Sequence, residues 1–135
     1  FLFTVAMTGF STNLLKLLVA MPRPNHFALV LYGAYLNDAK GRGYESSAWK
    51  SFPSGHCSLS MCTLLYVSLL LLQDLRRGYV PLLPQLRAVL VSVALMPVYL
   101  ALWVASTRCW DYWHSPVDAV GGMALGAAWT LLAFI

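Results

Sequence analysis

Charge is what this chain has least of. Lys, Arg, Asp and Glu make up 10% of its 135 residues, against roughly 25% in ordinary soluble domains. That scarcity excludes a conventional water-soluble surface. Only five residues are acidic, and they are scattered, so there is no carboxylate cluster to hold a divalent metal. Three cysteines make no disulfide framework and no metal-binding spacing. Cys57 and Cys62 fall in an apolar run and read as packing residues; Cys109 reads as a bystander. There is no Asn-x-Ser/Thr sequon and no basic segment ahead of the first apolar run, so neither glycosylation nor a signal peptide orients the chain. Internal repeats and low-complexity segments are also absent.

What is present is hydrocarbon. The chain is 59% hydrophobic, with a mean hydropathy of +0.67. A spanning helix needs about 20 mostly apolar residues, and four stretches qualify: residues 1–20, 56–73, 88–106 and 117–135. Pro97 lies inside the third, where neighbouring helices can satisfy the carbonyl it frees. The expected fold class is all-α, a polytopic membrane helix bundle with four spanning helices. Phe1 and Ile135 both lie within apolar runs. Residues 1–135 therefore read as a single membrane-embedded domain, truncated at both ends. The net charge of +4 and pI near 9.2 do not indicate nucleic acid, because the nine basic residues form no stripe.

Two connections separate the stretches. Residues 21–53 contain Pro22, Pro24, Gly33, Gly41, Gly43 and Ser46-Ser47, which read as loop-rich. Tyr32, Tyr35, Tyr44, Trp49 and Phe52 suggest packing at headgroup level. Residues 74–87, with Gly78, Pro81 and Pro84, form a short connection. Four crossings put Lys16, Arg23, His56, Arg108, His114 and Asp118 on one membrane face, and Arg76-Arg77 on the other. Arg76, Arg77 and Arg87 are concentrated in the short connection, whereas Lys40, Arg42 and Lys50 are spread along the long one. Charge density thus makes the short connection cytoplasmic and the motif-bearing face lumenal or extracellular, in the plasma membrane or an endomembrane.

The polar residues left over are patterned. Lys16 precedes Arg23-Pro24 by seven positions: a point charge and a planar fork, both suited to phosphate oxygens. A lysine this close to the bilayer is costly unless it pairs, faces water or snorkels. Pro53-Ser54-Gly55-His56 opens the second spanning stretch, where Ser54 suits an N-cap and the glycine turn and helix-start amides suit an anion. Arg108, His114 and Asp118 close the set. If helix continues through that segment, His114 and Asp118 share a face; Pro116 instead suits a helix's first turn, with His114 before it. In either case Asp118 can hold one imidazole nitrogen and leave the other free to attack. Each piece alone has a bland reading: a snorkelling lysine, a capped helix start, an interfacial histidine.

In this order the three pieces resemble the signature of the type-2 phosphatidate phosphatase superfamily, which includes lipid phosphate phosphatases and the vanadium haloperoxidases. Lys16 and Arg23-Pro24 match its first motif, Pro53–His56 the second, and Arg108, His114 and Asp118 the third. One departure is Thr107 where the family usually has serine. The resemblance spans residues 16–118 and implies a six-helix parent protein. It also implies a metal-free, cofactor-free phosphatase acting on a lipid phosphate monoester or pyrophosphate within the bilayer. His114 is then the nucleophile, His56 the proton donor and Asp118 the orienting carboxylate. Lys16, Arg23, Ser54, Gly55 and Arg108 hold the phosphate. A lipid phosphotransferase using the same site, or a non-catalytic membrane relative, is the alternative reading. A homo-oligomer is compatible with either. His26 reads as a loop histidine. The Gly122–Gly126 pair reads as packing within the bundle, and Trp103, Trp110, Trp113 and Trp129 as interface anchors or core.

Overall fold

A computed structural model describes residues 1–36, 39–78 and 83–135. Six helices follow in chain order: α1 (Leu2–Val19), α2 (His26–Leu36), α3 (Ala39–Ala48), α4 (Gly55–Arg77), α5 (Pro84–Trp110) and α6 (Pro116–Phe134). No strand occurs among the described residues. Helices α1, α4, α5 and α6 are long and apolar enough to cross a membrane. They coincide with the four apolar stretches. Pro81, from the short connection, lies outside the described residues.

Helix termini follow local chemistry. Ala20 takes the left-handed conformation (φ 45°) and ends α1 with its amide on the Lys16 carbonyl. Pro84 opens α5 at the first turn, where a missing N–H costs nothing, and Pro97 is carried inside it. A capping box starts α6: the Asp118 amide donates to Ser115 Oγ, and the Ser115 amide donates to Asp118 Oδ2 at 2.7 Å.

The packing is inverted relative to a soluble protein. Large apolar side chains such as Leu17, Phe10, Val93, Trp103 and Leu132 face outward, while most of the buried positions are small or hydroxylated. On α1 they are Thr4, Thr8 and Thr12. On α5 they are Ala94, Ala101 and Ala105. Lipid tails solvate leucine as well as another leucine does, so close backbone approach and interhelical hydrogen bonds drive association instead. Thr12 Oγ1 and Ser58 Oγ, 2.8 Å apart, tie α1 to α4, and Thr130 Oγ1 donates to the Cys62 carbonyl to tie α6 to α4. Cys57 and Cys62 are fully buried packing residues.

Helix α4 is the hub, packed on α1, α5 and α6. Its approach to α6 is set by glycine. A Cβ on Gly122 would stand 2.5 Å from the Ser54 carbonyl oxygen, and one on Gly126 would collide with the Ser58 carbonyl. The pair is an intrabundle packing surface, as its spacing implied.

Residues 21–53 differ from the loop-rich expectation. They hold a helical hairpin, α2 against α3. Gly33 and Gly41 read as turn residues in the sequence, yet both are helical. A Cβ on Gly33 would come within 2.7 Å of the Gly41 carbonyl, and one on Gly41 would strike the Gly33 carbonyl. Their job is close crossing rather than chain reversal.

This geometry makes Gly126→Ala costly: with backbone opposite, the added methyl forces the helices apart, at about 1–3 kcal/mol. Gly9, whose Cβ would meet nothing within 4 Å, provides the contrast. Thermal midpoints in detergent should fall for Gly126→Ala and hold or rise for Gly9→Ala. Equal midpoints would contradict the packing argument.

Candidate active site

The site forms where α1 ends, α4 begins, α5 ends and α6 begins. Lys16 sits in the last turn of α1 and Arg108 in the last turn of α5. His56 is the second residue of α4. Lys16, Arg23, His56, Arg108, Trp113 and His114 line one cavity of about 350 Å³. The four-crossing count required these motifs to meet at one end of the bundle, and they do. The cavity is more polar than the neighbouring apolar grooves beside α6.

Both arginines are held from behind. Arg23 Nε donates to the Ser47 carbonyl at 2.8 Å and Nη1 to the Trp113 carbonyl at 3.3 Å. Its guanidinium carbon also lies 5.2 Å from the centroid of the Trp113 ring, within cation–π range. Arg108 Nη2 pairs with Asp111 Oδ2 at 3.1 Å. The Lys16 ammonium reaches over Gly55, 3.4 Å from where a Cβ would stand. Trp113 read as an anchor or core residue in the sequence. The structure makes it a cavity wall, and only its adjacency to His114 hinted at this.

The third motif does not continue a helix through His114. Helix α5 ends at Trp110, and Tyr112 adopts a positive φ of 56°. The His114 amide then returns to the Arg108 carbonyl at 3.2 Å. That turn swings His114 back over the end of α5, before Ser115 caps α6. Pro116 occupies the first turn of α6. His114 and Asp118 therefore meet through the cap and not along a helix face.

Asp118 is 1% exposed and His114 3%. The separation from His114 Nδ1 to Asp118 Oδ2 is 3.8 Å, longer than a hydrogen bond. Neither Nδ1 nor Asp118 Oδ1 has a hydrogen-bond partner among the described residues. Oδ2 instead accepts from the Ser115 amide and from Ser51 Oγ, the latter at 2.6 Å. Ser51, fully buried, carried no signal in the sequence beyond standing two residues before Pro53.

The structure refines the reading of Ser54 and of Thr107. Ser54 occupies the N-cap position of α4, but its side chain makes no capping hydrogen bond. Its amide donates to the Asp118 carbonyl at 3.0 Å and is already engaged. The Ser54 amide is therefore not open to an anion at the start of α4. Thr107, at the family's serine position, donates its hydroxyl to the Val104 carbonyl at 2.8 Å. That hydroxyl is spent within α5 and does not line the cavity.

Burial and charge together set the protonation of His114. Burial, then the nearby Arg23 guanidinium, lower its pKa to about 4 from the ordinary 6.5; Asp118 opposes them but does not win. Burial likewise pulls Arg23 below its ordinary value, with Asp118 pulling it back. His114 is a neutral imidazole near pH 7, with a free lone pair. Among the described residues no group of three or more His, Cys, Asp or Glu is placed to hold a metal ion.

Known proteins place the site in context. Residues 1–135 match the profile of the PAP2 superfamily. The chain is 33% identical to lipid phosphate phosphatase 2 of Arabidopsis thaliana, over 93% of this chain and 45% of that protein. It is 32% identical to a lipid A 1-phosphatase of Rhizobium johnstonii, over 98% of this chain and 45% of the relative. It is 28% identical to phospholipid phosphatase 1 of Mus musculus, over 98% of this chain and 48% of the relative. The chain thus spans about half the length of the curated relatives it matches. No solved structure matches it.

The depressed pKa of His114 has a thermodynamic consequence. Between pH 6.5 and about 4 the unfolded chain binds a proton that the folded site refuses, so stability rises with pH across that window. The thermal midpoint should therefore drop on acidification from pH 6.5 towards 4, and less steeply in His114→Asn. Parallel slopes in the two proteins would refute the assignment.

Proposed function

Because the chain belongs to the PAP2 superfamily, we propose that its cavity is the active site of a membrane lipid phosphatase. The substrate class is a lipid phosphate monoester or pyrophosphate. The observation that carries this reading is the single cavity lined by three cations and two imidazoles at the mouth of an apolar bundle.

The chemistry follows from what lines that cavity. Lys16, Arg23 and Arg108 hold the phosphoryl oxygens, and the Gly55 amide adds a neutral donor at the start of α4. Such positioning and charge stabilisation carry most of the barrier lowering in phosphoryl transfer. The neutral His114 attacks phosphorus through Nε2, forming a P–N bond as the P–O bond to the lipid breaks. His56 gives a proton to the departing oxygen. The phosphohistidine ring is then cationic, and its Nδ1–H faces the Asp118 carboxylate. A water next attacks phosphorus, giving its proton to His56, and the P–N bond breaks to release inorganic phosphate. All phosphate-facing charges in this scheme are side chains, and the scheme calls for no metal ion.

The test is phosphate release by the full-length protein from a panel of lipid phosphates in EDTA. Turnover is expected to persist in EDTA and to be inhibited by vanadate, which imitates five-coordinate phosphorus beside His114. His114→Ala is expected to lower kcat by about 10⁴-fold or more. Near-wild-type release by that variant at matched expression would sink the phosphohistidine step, and activity lost in EDTA but restored by Mg²⁺ would sink metal independence.

We place the cavity on the lumenal or extracellular face. The short connection between α4 and α5 concentrates Arg76, Arg77 and Arg87, whereas Lys40, Arg42 and Lys50 are spread along the longer connection. Gly43 and Gly78 are both exposed and lie in the two connections that the four-crossing count assigns to opposite faces. In a Cys109→Ser background, an impermeant maleimide should label Gly43→Cys in intact cells and Gly78→Cys only after permeabilisation. The reverse pattern would invert the orientation.

A further inference from the structure

We infer that Ser51 is a positioning residue of the proposed reaction, fixing the Asp118 carboxylate against which His114 becomes charged. The inference rests on the phosphatase reading above.

The geometry begins with burial. Ser51 and Asp118 are 0% and 1% exposed. Their contact, 2.6 Å from Ser51 Oγ to Asp118 Oδ2, joins residues 67 apart in sequence. It is a short O–H···O⁻ bond of the charge-assisted kind. A buried carboxylate needs its lone pairs met, and Oδ2 is met twice, by Ser51 Oγ and by the Ser115 amide. These donors come from two separate segments. The grip extends to the main chain, since the Ser54 amide donates to the Asp118 carbonyl at 3.0 Å. The segment carrying Ser51 is anchored in turn by the Ser51 amide on the Met21 carbonyl, also at 3.0 Å. Asp118 is therefore tied to the first-motif loop and to the start of α4.

This fixes which partner must move. His114 Nδ1 stands 3.8 Å from Oδ2 and has no hydrogen-bond partner among the described residues. With the carboxylate held on two sides, closing that gap falls to the imidazole. The ring gains a positive charge only when its other nitrogen bonds to phosphorus, and a hydrogen bond that strengthens at that moment accelerates the step. Ser51 keeps the carboxylate where the cationic ring needs it. It does not touch substrate.

A residue acting through Asp118 has a diagnostic signature. In full-length protein, Ser51→Ala should lower kcat by about 10–100-fold, the range set by loss of a hydrogen bond to a charged group. KM and the inhibition constant of inorganic phosphate should hold within about threefold, because the phosphate-facing cations are untouched. Ser51→Thr, which keeps the hydroxyl, should recover most of kcat. In an Asp118→Asn background Ser51→Ala should add little, since non-additivity marks residues in one network. Additive losses, an unchanged kcat in Ser51→Ala, or a parallel loss of phosphate affinity would overturn the inference. If Ser51→Ala does not fold, Ser51→Cys carries the same cycle and outcomes. Wild-type turnover that His114→Ala abolishes tests the phosphatase reading separately, so either idea can fail while the other stands.

Discussion

The close crossing of α4 and α6 is the constraint on which the site depends. Gly122 and Gly126 bring α6 against the Ser54 and Ser58 carbonyls at distances no Cβ would allow. That approach places the first turn of α6 beside the first turn of α4. From it follow the Ser54 amide on the Asp118 carbonyl and the Ser51 hydroxyl on the Asp118 carboxylate. Two stretches more than 60 residues apart thus become one surface. In a bilayer this registration cannot come from hydrophobic burial, because lipid rewards an outward leucine as much as an inward one. It comes from small residues and from hydroxyls that find carbonyls on the neighbouring helix.

The same economy shapes the loops. Helices α2 and α3 pack on each other, and the end of α3 reaches back to the site. The Ala48 carbonyl takes the Arg23 amide, and the Ser47 carbonyl takes Arg23 Nε. Arg23 is therefore an architectural tie as well as a cation. Two of its N–H groups hold α3 and the turn before His114, which leaves the rest of the fork for the cavity. An arginine fixed by backbone carbonyls would lose little freedom on binding phosphate in the proposed site, which is the advantage of preorganisation.

How much of this was legible in the sequence follows from the range of each interaction. The spanning helices were legible because hydropathy is a property of contiguous residues. The meeting of Lys16, Arg23, His56, Arg108 and His114 was legible because four crossings fix which ends share a face. The hairpin was misread: Gly33 and Gly41 resemble turn residues until the partner helix is seen filling the space where their side chains would be. Ser51 was invisible for a similar reason, since its partner lies 67 positions away and nothing in residues 50–54 announces a carboxylate. The His114–Asp118 spacing left two geometries open, a shared helix face or a histidine ahead of the helix start, and the structure has the second. Pro116 and the Tyr112 turn bring the two together through a helix cap, and Pro116 was the one local clue to that.

In the proposed reaction, the electrostatics of the cavity make binding and nucleophilicity one problem. Lys16, Arg23 and Arg108 gather around His114 with Asp111 and Asp118 as the acidic neighbours, so the site holds more positive than negative charge. That excess suits a phosphate dianion. It also disfavours a proton on His114, because an imidazolium beside Arg23 would be a further cation in a desolvated place. In the proposed reaction, the groups that would attract the substrate thereby keep the nucleophile unprotonated before it binds. A bound dianion would offset part of the excess at the moment the proposed step makes His114 cationic by bonding it to phosphorus. Asp118, too weak against burial and the cations to protonate the resting ring, would then face a positive charge that no longer has to be forced on it. A carboxylate locked by Ser51 and the α6 cap is suited to that late role, because its position does not depend on the charge of the ring it serves.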